Sequence, residues 1–345
     1  LIHSYCPELA EYIKRLLDEA EDPISLLFEP VSESSLQIFE KSRHEDLPAF
    51  KSQNEAVKWY LKGLNESGLC LMDNLKRHPN PLTQLRLFNF FCIFHLVRYM
   101  ALLEAFYCGE NIRPVLLDFS GIAPSQSSVA RASEMAYTQM HKSINRFYAW
   151  GYAQKLKEKD YSKEDLLQSE TPVYDEKKKA SVEFSTLWNL AKERASACAT
   201  DDAARLVFGE TMYDMLALEA SSHPVNCLKI LGTSAGMLYP PDQMHPNKRF
   251  VLSQDILEMI LRSTVSPDEV LSGNDMRNRL WERFGIIIGG STYEIEKLQS
   301  SGMLLQIDED SLERNFTSFA ALLESMDFAE VMADGILQIR LGGSD

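Results

Sequence analysis

Residues 85–100 read LRLFNFFCIFHLVRYM and lie in the most apolar part of the chain, which extends from Thr83 to Trp150. The composition predicts a long helix that ends near Gly109 and is apolar around most of its circumference. Arg98 and Glu104 interrupt the run. Because charges are costly at the centre of a bilayer, we interpret this segment as a core helix of a soluble protein and expect no membrane contact.

Two further elements are predicted in the same part of the chain. The run from Val115 to Phe119 is too short for a helix and too apolar for a loop, so a buried strand is expected. A second long helix follows, with Ser125 or Ser127 as its N-cap. Its apolar face predicts packing along the first helix, which leaves a modestly basic outer surface.

Shorter amphipathic helices are predicted on both sides of these elements. They cover residues 7–20, 35–41, 54–64, 184–198, 201–218 and 225–231. We expect Ser67-Gly68 to close the third of them and Asp201 or Asp202 to cap the fifth. The charged segment 155–181 predicts a linker or an exposed hairpin.

The C-terminal part has the clearest pattern. Helices are predicted at 253–263, 274–284, 292–300 (capped by Ser291) and 312–326, and an Asp-Gly turn then predicts a hairpin within 331–341. Helices followed by a terminal two-stranded hairpin are typical of a winged-helix domain. The predicted fold is therefore mainly α, with an N-terminal helical domain (1–158), a middle helical segment with a linker (159–247) and a winged-helix-like domain (248–345).

The charge of the chain limits the partners that it can bind. The formal net charge is −15 over 345 residues, which repels nucleic-acid phosphates. Residues 251–341 carry seven basic and sixteen acidic side chains. This favours a protein-binding or structural winged helix over one that binds DNA. Six scattered cysteines without a C-x-x-C pair indicate free thiols in a reducing, cytoplasmic compartment.

Two local patterns nevertheless leave nucleic-acid binding open. The helix at 274–284 could present a small basic strip, and the region 125–158 interleaves cations with aromatic side chains that could stack on single-stranded bases. Packing is the alternative for those aromatic residues. The candidate nucleic-acid-binding residues are Arg131, Lys142, Arg146, Trp150, Arg277, Arg279 and Arg283.

No catalytic, metal or cofactor motif is complete. Asp118 ends the short apolar run, as the acidic residue of a metal-dependent nuclease does, but no strand with Glu-x-Lys follows it, so a turn or capping role is favoured. His223 and Cys227 have no second ligand pair. The glycine-rich segments 232–236 and 289–292 lack the Gly-Lys-Ser/Thr of a phosphate loop. We therefore predict no catalytic residue, no metal and no cofactor.

Three short phrases carry a resemblance to a known group. They are LLDFSG (116–121), SINRFYAW (143–150) and LWERFGIIIG (280–289), which together cover under a fifth of the chain. They resemble non-ATPase accessory subunits of multigene bacterial anti-phage defence systems of the methylation-associated or phosphorothioation-dependent type. The resemblance implies a cytoplasmic subunit that works beside an ATPase or nuclease, and it supplies no catalytic residues.

Two functions are therefore expected from the sequence. The first is a non-enzymatic adaptor that holds protein partners in such a defence complex. The alternative is a nucleic-acid-binding subunit of the same kind of complex, which would use the basic and aromatic face of the 125–158 helix to contact DNA. Metal-dependent hydrolysis at Asp118 is a third, less favoured hypothesis.

Overall fold

The computed structural model describes residues 54–172, 182–219, 223–243, 245–301, 307, 309–333 and 335–341. Within them the chain is mainly helical, which confirms the predicted fold class at this level. The helices are α1 (Glu55–Arg77), α2 (Pro81–Cys108), α3 (Ser128–Glu158), α4 (Lys163–Gln168), α5 (Val182–Ser196), α6 (Asp201–Glu219), α7 (Pro224–Ser234), α8 (Gln254–Arg262), α9 (Gly273–Phe284), α10 (Thr292–Ser300) and α11 (Glu309–Ser325). The strands are β1 (Val115–Leu116), β2 (Leu238–Tyr239), β3 (Arg249–Phe250), β4 (Val270–Ser272), β5 (Ile286–Ile287), β6 (Ala329–Val331) and β7 (Leu337–Arg340). The helices predicted at 7–20 and 35–41 lie outside the described residues.

Contacts group the described residues into two compact units. The first contains the residues up to Met140 and those from Lys229 onward, and the second contains residues 141–228. The boundaries fall inside α3 and α7. The division into the segments 1–158, 159–247 and 248–345 remains a prediction.

Helix α1 is longer than its sequence pattern predicts. Asn54 caps it, since its side chain accepts a hydrogen bond from the Ala56 amide (2.8 Å). The predicted end at Ser67-Gly68 is wrong, because the helix continues through both residues to Arg77. Ser67 donates its hydroxyl to the Leu64 carbonyl within the helix (3.1 Å), and Gly68 is buried, so tertiary packing outweighs the low helix propensity of these residues.

Helix α2 forms the core of the first unit. Asn80 caps it, Pro81 occupies its first turn, and Gly109 ends it with a left-handed backbone (φ 77°). Among the described residues it is the one helix long and apolar enough to cross a membrane, but 72 % of its most apolar window is buried in the protein. Its burial therefore supports the interpretation as a core helix.

Two basic side chains are buried in α2. The His95 ring lies 4.3 Å from the Phe91 ring, and its Nε2 is 3.4 Å from the Ser67 hydroxyl. Burial, with a contribution from the nearby Arg98 guanidinium, lowers the pKa of His95 to about 3. Arg98 is also buried, which lowers its pKa to about 10, and its Nε and Nη2 have no hydrogen-bond partner. His95 is therefore a neutral core residue.

A small sheet joins segments of the first unit that are far apart in the sequence. The predicted strand at Val115 is present as β1, which pairs in parallel with β5, while Leu117 bridges to Phe250. Strand β3 in turn pairs antiparallel with β2. Asn315 of α11 links the segments that directly follow β1 and β5, since its amide nitrogen donates to the carbonyls of Leu117 (2.8 Å) and Ile288 (2.7 Å).

The C-terminal strands form a second sheet in the first unit. Its order is β4-β7-β6 and both pairings are antiparallel. Val270 of β4 pairs with Arg340, and Val331 of β6 pairs with Leu337 across the hairpin. Ser291 caps α10 in a reciprocal capping box with Glu294, as the sequence predicts.

The described residues of the second unit form helices and the turns and loops that join them. Its core contains Leu166 of α4, Trp188 of α5 and Phe208 of α6. The linker predicted over 155–181 is partly wrong, because Ser162 nucleates α4 with a capping box. Thr200 accepts from the Ala203 amide (3.2 Å) at the start of α6, where Asp201 or Asp202 was expected as the cap.

Candidate functional site

The sequence predicts a basic strip on the surface of α9. In the structure, each guanidinium group of that strip has partners within the protein. Arg279 donates to both oxygens of Glu269 (2.8 and 2.6 Å) and to the Thr264 carbonyl. This paired, charge-assisted geometry lowers the pKa of Glu269 to about 2. Arg279 therefore acts as a clamp between α9 and the loop that follows α8.

The other two arginines of α9 are used in the same way. Arg283 donates to the carbonyls of Ser263 (2.7 Å) and Thr264 (3.0 Å), where a cation stabilises the C-terminal end of α8. Arg277 donates to the Gly289 carbonyl (3.0 Å), and its guanidinium lies 4.1 Å from the centre of the Phe316 ring. These contacts leave few donors for a phosphate backbone.

The candidates on α3 divide between the two units. Arg131 is exposed in the first unit, and its Nε donates weakly to the Pro124 carbonyl (3.4 Å). Lys142, Arg146 and Trp150 belong to the second unit. The Trp150 ring stacks on Phe147 with 6.2 Å between ring centres, so at least one of its faces is used in packing.

Lys142 and Arg146 lie together on the wall of an open cavity in the second unit. The cavity has a volume of about 240 Å³. Helix α3 contributes one wall and α6 the other, and the lining residues are Lys142, Asn145, Arg146, Ala149, Glu210, Tyr213 and Asp214. The helices approach closely below it, since a Cβ on Gly209 would come within 2.2 Å of the Ala149 carbonyl oxygen. A glycine is therefore required at that position.

The acidic wall of this cavity was not predicted. Glu210 and Asp214 are four residues apart on α6, a spacing that puts both on one helix face and is visible in the sequence. Glu210 pairs with Arg194 (2.6 Å), whereas burial and the neighbouring Glu210 charge raise the pKa of Asp214. Burial also raises the pKa of Tyr213 to about 12. The cavity therefore has cations on one side and carboxylates on the other.

Asp118 lies at the carboxyl end of β1, where the sequence placed it, but it is enclosed. Its Oδ1 accepts from the Ser120 hydroxyl (2.6 Å) and the Ser120 amide (2.9 Å). Its Oδ2 lies 3.0 Å from the Arg249 Nε in a buried ion pair. Since the carboxylate is 1 % exposed, this geometry favours the capping role over metal-dependent hydrolysis.

The hairpin of β6 and β7 exposes apolar side chains at its tip. Val331, Met332 and Ile336 are 45, 39 and 51 % exposed. The Met332 amide donates to the Ile336 carbonyl (2.9 Å), which holds the two strands together beside the turn. In the same strands, Arg340 lies 3.6 Å from Glu330 across the hairpin. The tip therefore presents an apolar surface with acidic side chains nearby.

Among the described residues, no group of three or more histidine, cysteine or acidic side chains is placed to hold a metal ion. His223 and Cys227 are joined by a backbone hydrogen bond at the start of α7 (3.0 Å). Gly289 and Gly290 have positive φ angles of 119° and 97° in the turn that leads to the Ser291 cap. These residues are thus accounted for by turns and helix ends.

Comparisons with known proteins add no family to this description. No protein-family model matches the chain, and no significant match was found among curated proteins or solved structures.

Proposed function

We propose that this chain is a non-enzymatic adaptor subunit of a cytoplasmic multiprotein complex and that its C-terminal hairpin docks on a protein partner. The observation that carries the proposal is the apolar hairpin tip formed by Val331, Met332 and Ile336. Apolar side chains are costly to expose in contiguous patches, and such patches mark protein interfaces. We place the complex among bacterial anti-phage defence systems and expect the partner to be an ATPase or nuclease subunit.

The arrangement of the C-terminal elements supports a winged-helix-like reading of this region. The strand order β4-β7-β6 joins the strand before α9 to the hairpin of β6 and β7, which we interpret as the wing. A wing that contacts DNA needs lysine or arginine at its tip. In this hairpin Arg340 faces Glu330 instead, so a protein partner fits better than a phosphate backbone.

The test compares partner capture by two matched variants. Met332→Glu combined with Ile336→Glu adds charge to the hairpin tip, and Leu82→Glu does the same at a side chain that is 75 % exposed at the start of α2. Both are expected to fold, because all three positions are exposed. We expect stoichiometric protein partners to co-purify with the wild type and with Leu82→Glu after nuclease treatment, and to be lost from the hairpin variant.

Two results would contradict the proposal. Partners that remain bound to the hairpin variant would show that another surface holds them. Partners that disappear from the wild type after nuclease treatment would show that nucleic acid joins them.

Nucleic-acid binding by α3 is the second candidate. It is favoured by the positions of Lys142 and Arg146, which are exposed one turn apart on the same helix. It is disfavoured by Glu210 and Asp214 on the facing wall of the cavity. A salt-dependent affinity for single-stranded DNA that is lost in Lys142→Glu and Arg146→Glu would support this function.

A further inference from the structure

One arginine of the first unit is buried without a partner for its charge. Arg98 of α2 is 4 % exposed and forms no hydrogen bond or ion pair with another described residue. Glu66 of α1 lies 3.8 Å from Arg283 instead. Glu104, which is on the same helix as Arg98, lies 3.8 Å from Arg113. The cost of burying a charge is recovered only when an opposite charge or hydrogen bonds accompany it.

Arg98 lines a narrow cleft between α1, α2 and α9. The other lining residues are Trp59, Tyr60, Phe94, His95, Arg283 and Phe284. The cleft has no space for a water molecule, so water cannot supply the missing acceptors. Arg283 brings a second guanidinium group, but Glu66 offsets its charge. An occupant that balances the cleft therefore carries one negative charge.

The end of α9 beside the cleft explains only part of this arrangement. Gly285 ends α9 with a left-handed backbone (φ 65°), and a Cβ there would come within 2.6 Å of the Arg98 Nη2. A cation is favoured at the C-terminal end of a helix, but this contribution is small against the cost of burying a guanidinium group. It also leaves the Nε and Nη2 of Arg98 without hydrogen-bond acceptors.

The two unpaired nitrogens of Arg98 indicate the shape of the missing partner. Nε and Nη2 lie on the same side of the planar guanidinium group, where their N–H bonds form a fork. The two oxygens of a carboxylate fit such a fork and accept two parallel hydrogen bonds. Tyr60, Phe94 and Phe284 line the cleft with aromatic rings, which suit an apolar group attached to the carboxylate.

We propose that this cleft is the closed form of a binding site for a small carboxylate, which pairs with the Nε and Nη2 of Arg98. Entry requires one wall to move, because the closed cleft has no space for an occupant. Trp59 is suited to this movement, since it is half-buried, whereas Tyr60, Phe94 and Phe284 are at most 3 % exposed. The site is separate from the hairpin surface and does not rest on the adaptor function.

The experiment uses the full chain, with the sodium salts of acetate, propionate and benzoate as probes. Acetamide is the neutral counterpart of acetate, and sodium chloride at the same ionic strength controls for general effects of salt. A ligand that binds only the folded protein raises its Tm. We expect at least one carboxylate to raise the Tm saturably above its value in sodium chloride and to change the fluorescence of Trp59. Acetamide is expected to do neither.

Matched variants, compared by calorimetry, locate the binding at Arg98. Arg98→Met removes the buried charge and keeps an extended side chain, so it is expected to fold and to lose binding. Arg98→Lys keeps the charge but lacks the planar fork, and it is expected to bind at least about tenfold more weakly than the wild type. Arg86→Met changes an exposed arginine of the same helix and is expected to keep the wild-type affinity.

Three results would overturn the inference. The first is that none of the three carboxylates stabilises the wild type more than sodium chloride does. The second is that acetamide stabilises it as much as acetate, which would indicate an apolar cavity in which the charge of Arg98 has no part. The third is that Arg98→Met binds the carboxylate as tightly as the wild type, which would place the carboxylate elsewhere.

Discussion

The buried His95 of α2 makes the stability of the first unit depend on pH, and replacing this one residue removes that dependence. We expect His95→Phe to reduce the loss of stability between neutral and mildly acidic pH. The replacement keeps an aromatic ring among Phe91, Phe94 and Phe284, with which the imidazole is in ring contact. It removes the one group there that the unfolded chain protonates near neutral pH.

The size of the effect follows from proton linkage. The pKa of His95 is about 3 in the folded protein, against an ordinary value of 6.5. Between these values the unfolded state binds more protons, so stability falls as the pH decreases from above 6.5 toward 3. At about pH 5 the cost is about 2 kcal/mol relative to neutral pH. This free energy comes mainly from protonation of His95 in the unfolded chain, because His95 in the folded protein is still neutral at about pH 5.

The assay is urea unfolding at the two pH values, followed by tryptophan fluorescence. Trp59 and Trp281 report on the first unit, where their rings lie 6.2 Å apart. His245→Gln is the control, since His245 is exposed and is expected to keep the wild-type pH dependence. If the wild type and His95→Phe lose the same free energy of unfolding between the two pH values, His95 is not a neutral buried group and the reasoning is wrong.

Three further predictions concern packing and buried polar contacts. Gly209→Ala should destabilise the second unit by about 1–3 kcal/mol through overpacking against α3, whereas Gly151→Ala, with open space around its Cβ, should stabilise it by about 0.5–1 kcal/mol; thermal unfolding of both variants checks this. Asn315→Ala should cost about 3 kcal/mol in denaturant unfolding, because it leaves the carbonyls of the small sheet without their donor. Asp118→Asn should cost about 3–5 kcal/mol by breaking a buried ion pair, and an unchanged unfolding midpoint would contradict the structural role of Asp118.

Local signals in the sequence predicted many of the helices well. The apolar run at 85–100 and the serine cap at Ser291 act through nearby residues, so the pattern was sufficient. The prediction failed where contacts between residues distant in sequence determine the structure. Gly68 does not end α1 because packing holds it inside the helix, and α4 lies within a segment whose charged composition predicted a linker.

The candidate site likewise contains some residues that the sequence identifies and others that depend on tertiary packing. Lys142 and Arg146 could be identified from one helix face, but the carboxylates opposite them depend on how α6 packs against α3. The sequence predicted a basic strip from the three arginines of α9 because it does not reveal their partners. Most of these partners are backbone carbonyls, and one is a carboxylate on another element. Backbone acceptors have no sequence signature, so this arrangement could not be predicted.

The division of the chain into two units has a consequence for its biosynthesis. The second unit occupies one continuous segment, residues 141–228, whereas the first is assembled from segments on both sides of it. Val115 finds its strand partner at Ile286, so the small sheet has a high contact order. A ribosome makes all of the second unit before it makes that partner strand. The second unit can therefore fold while α2, the most apolar helix of the described residues, still lacks its contacts with α8 and Phe284, and the apolar surface that these contacts cover is exposed to aggregation during that interval.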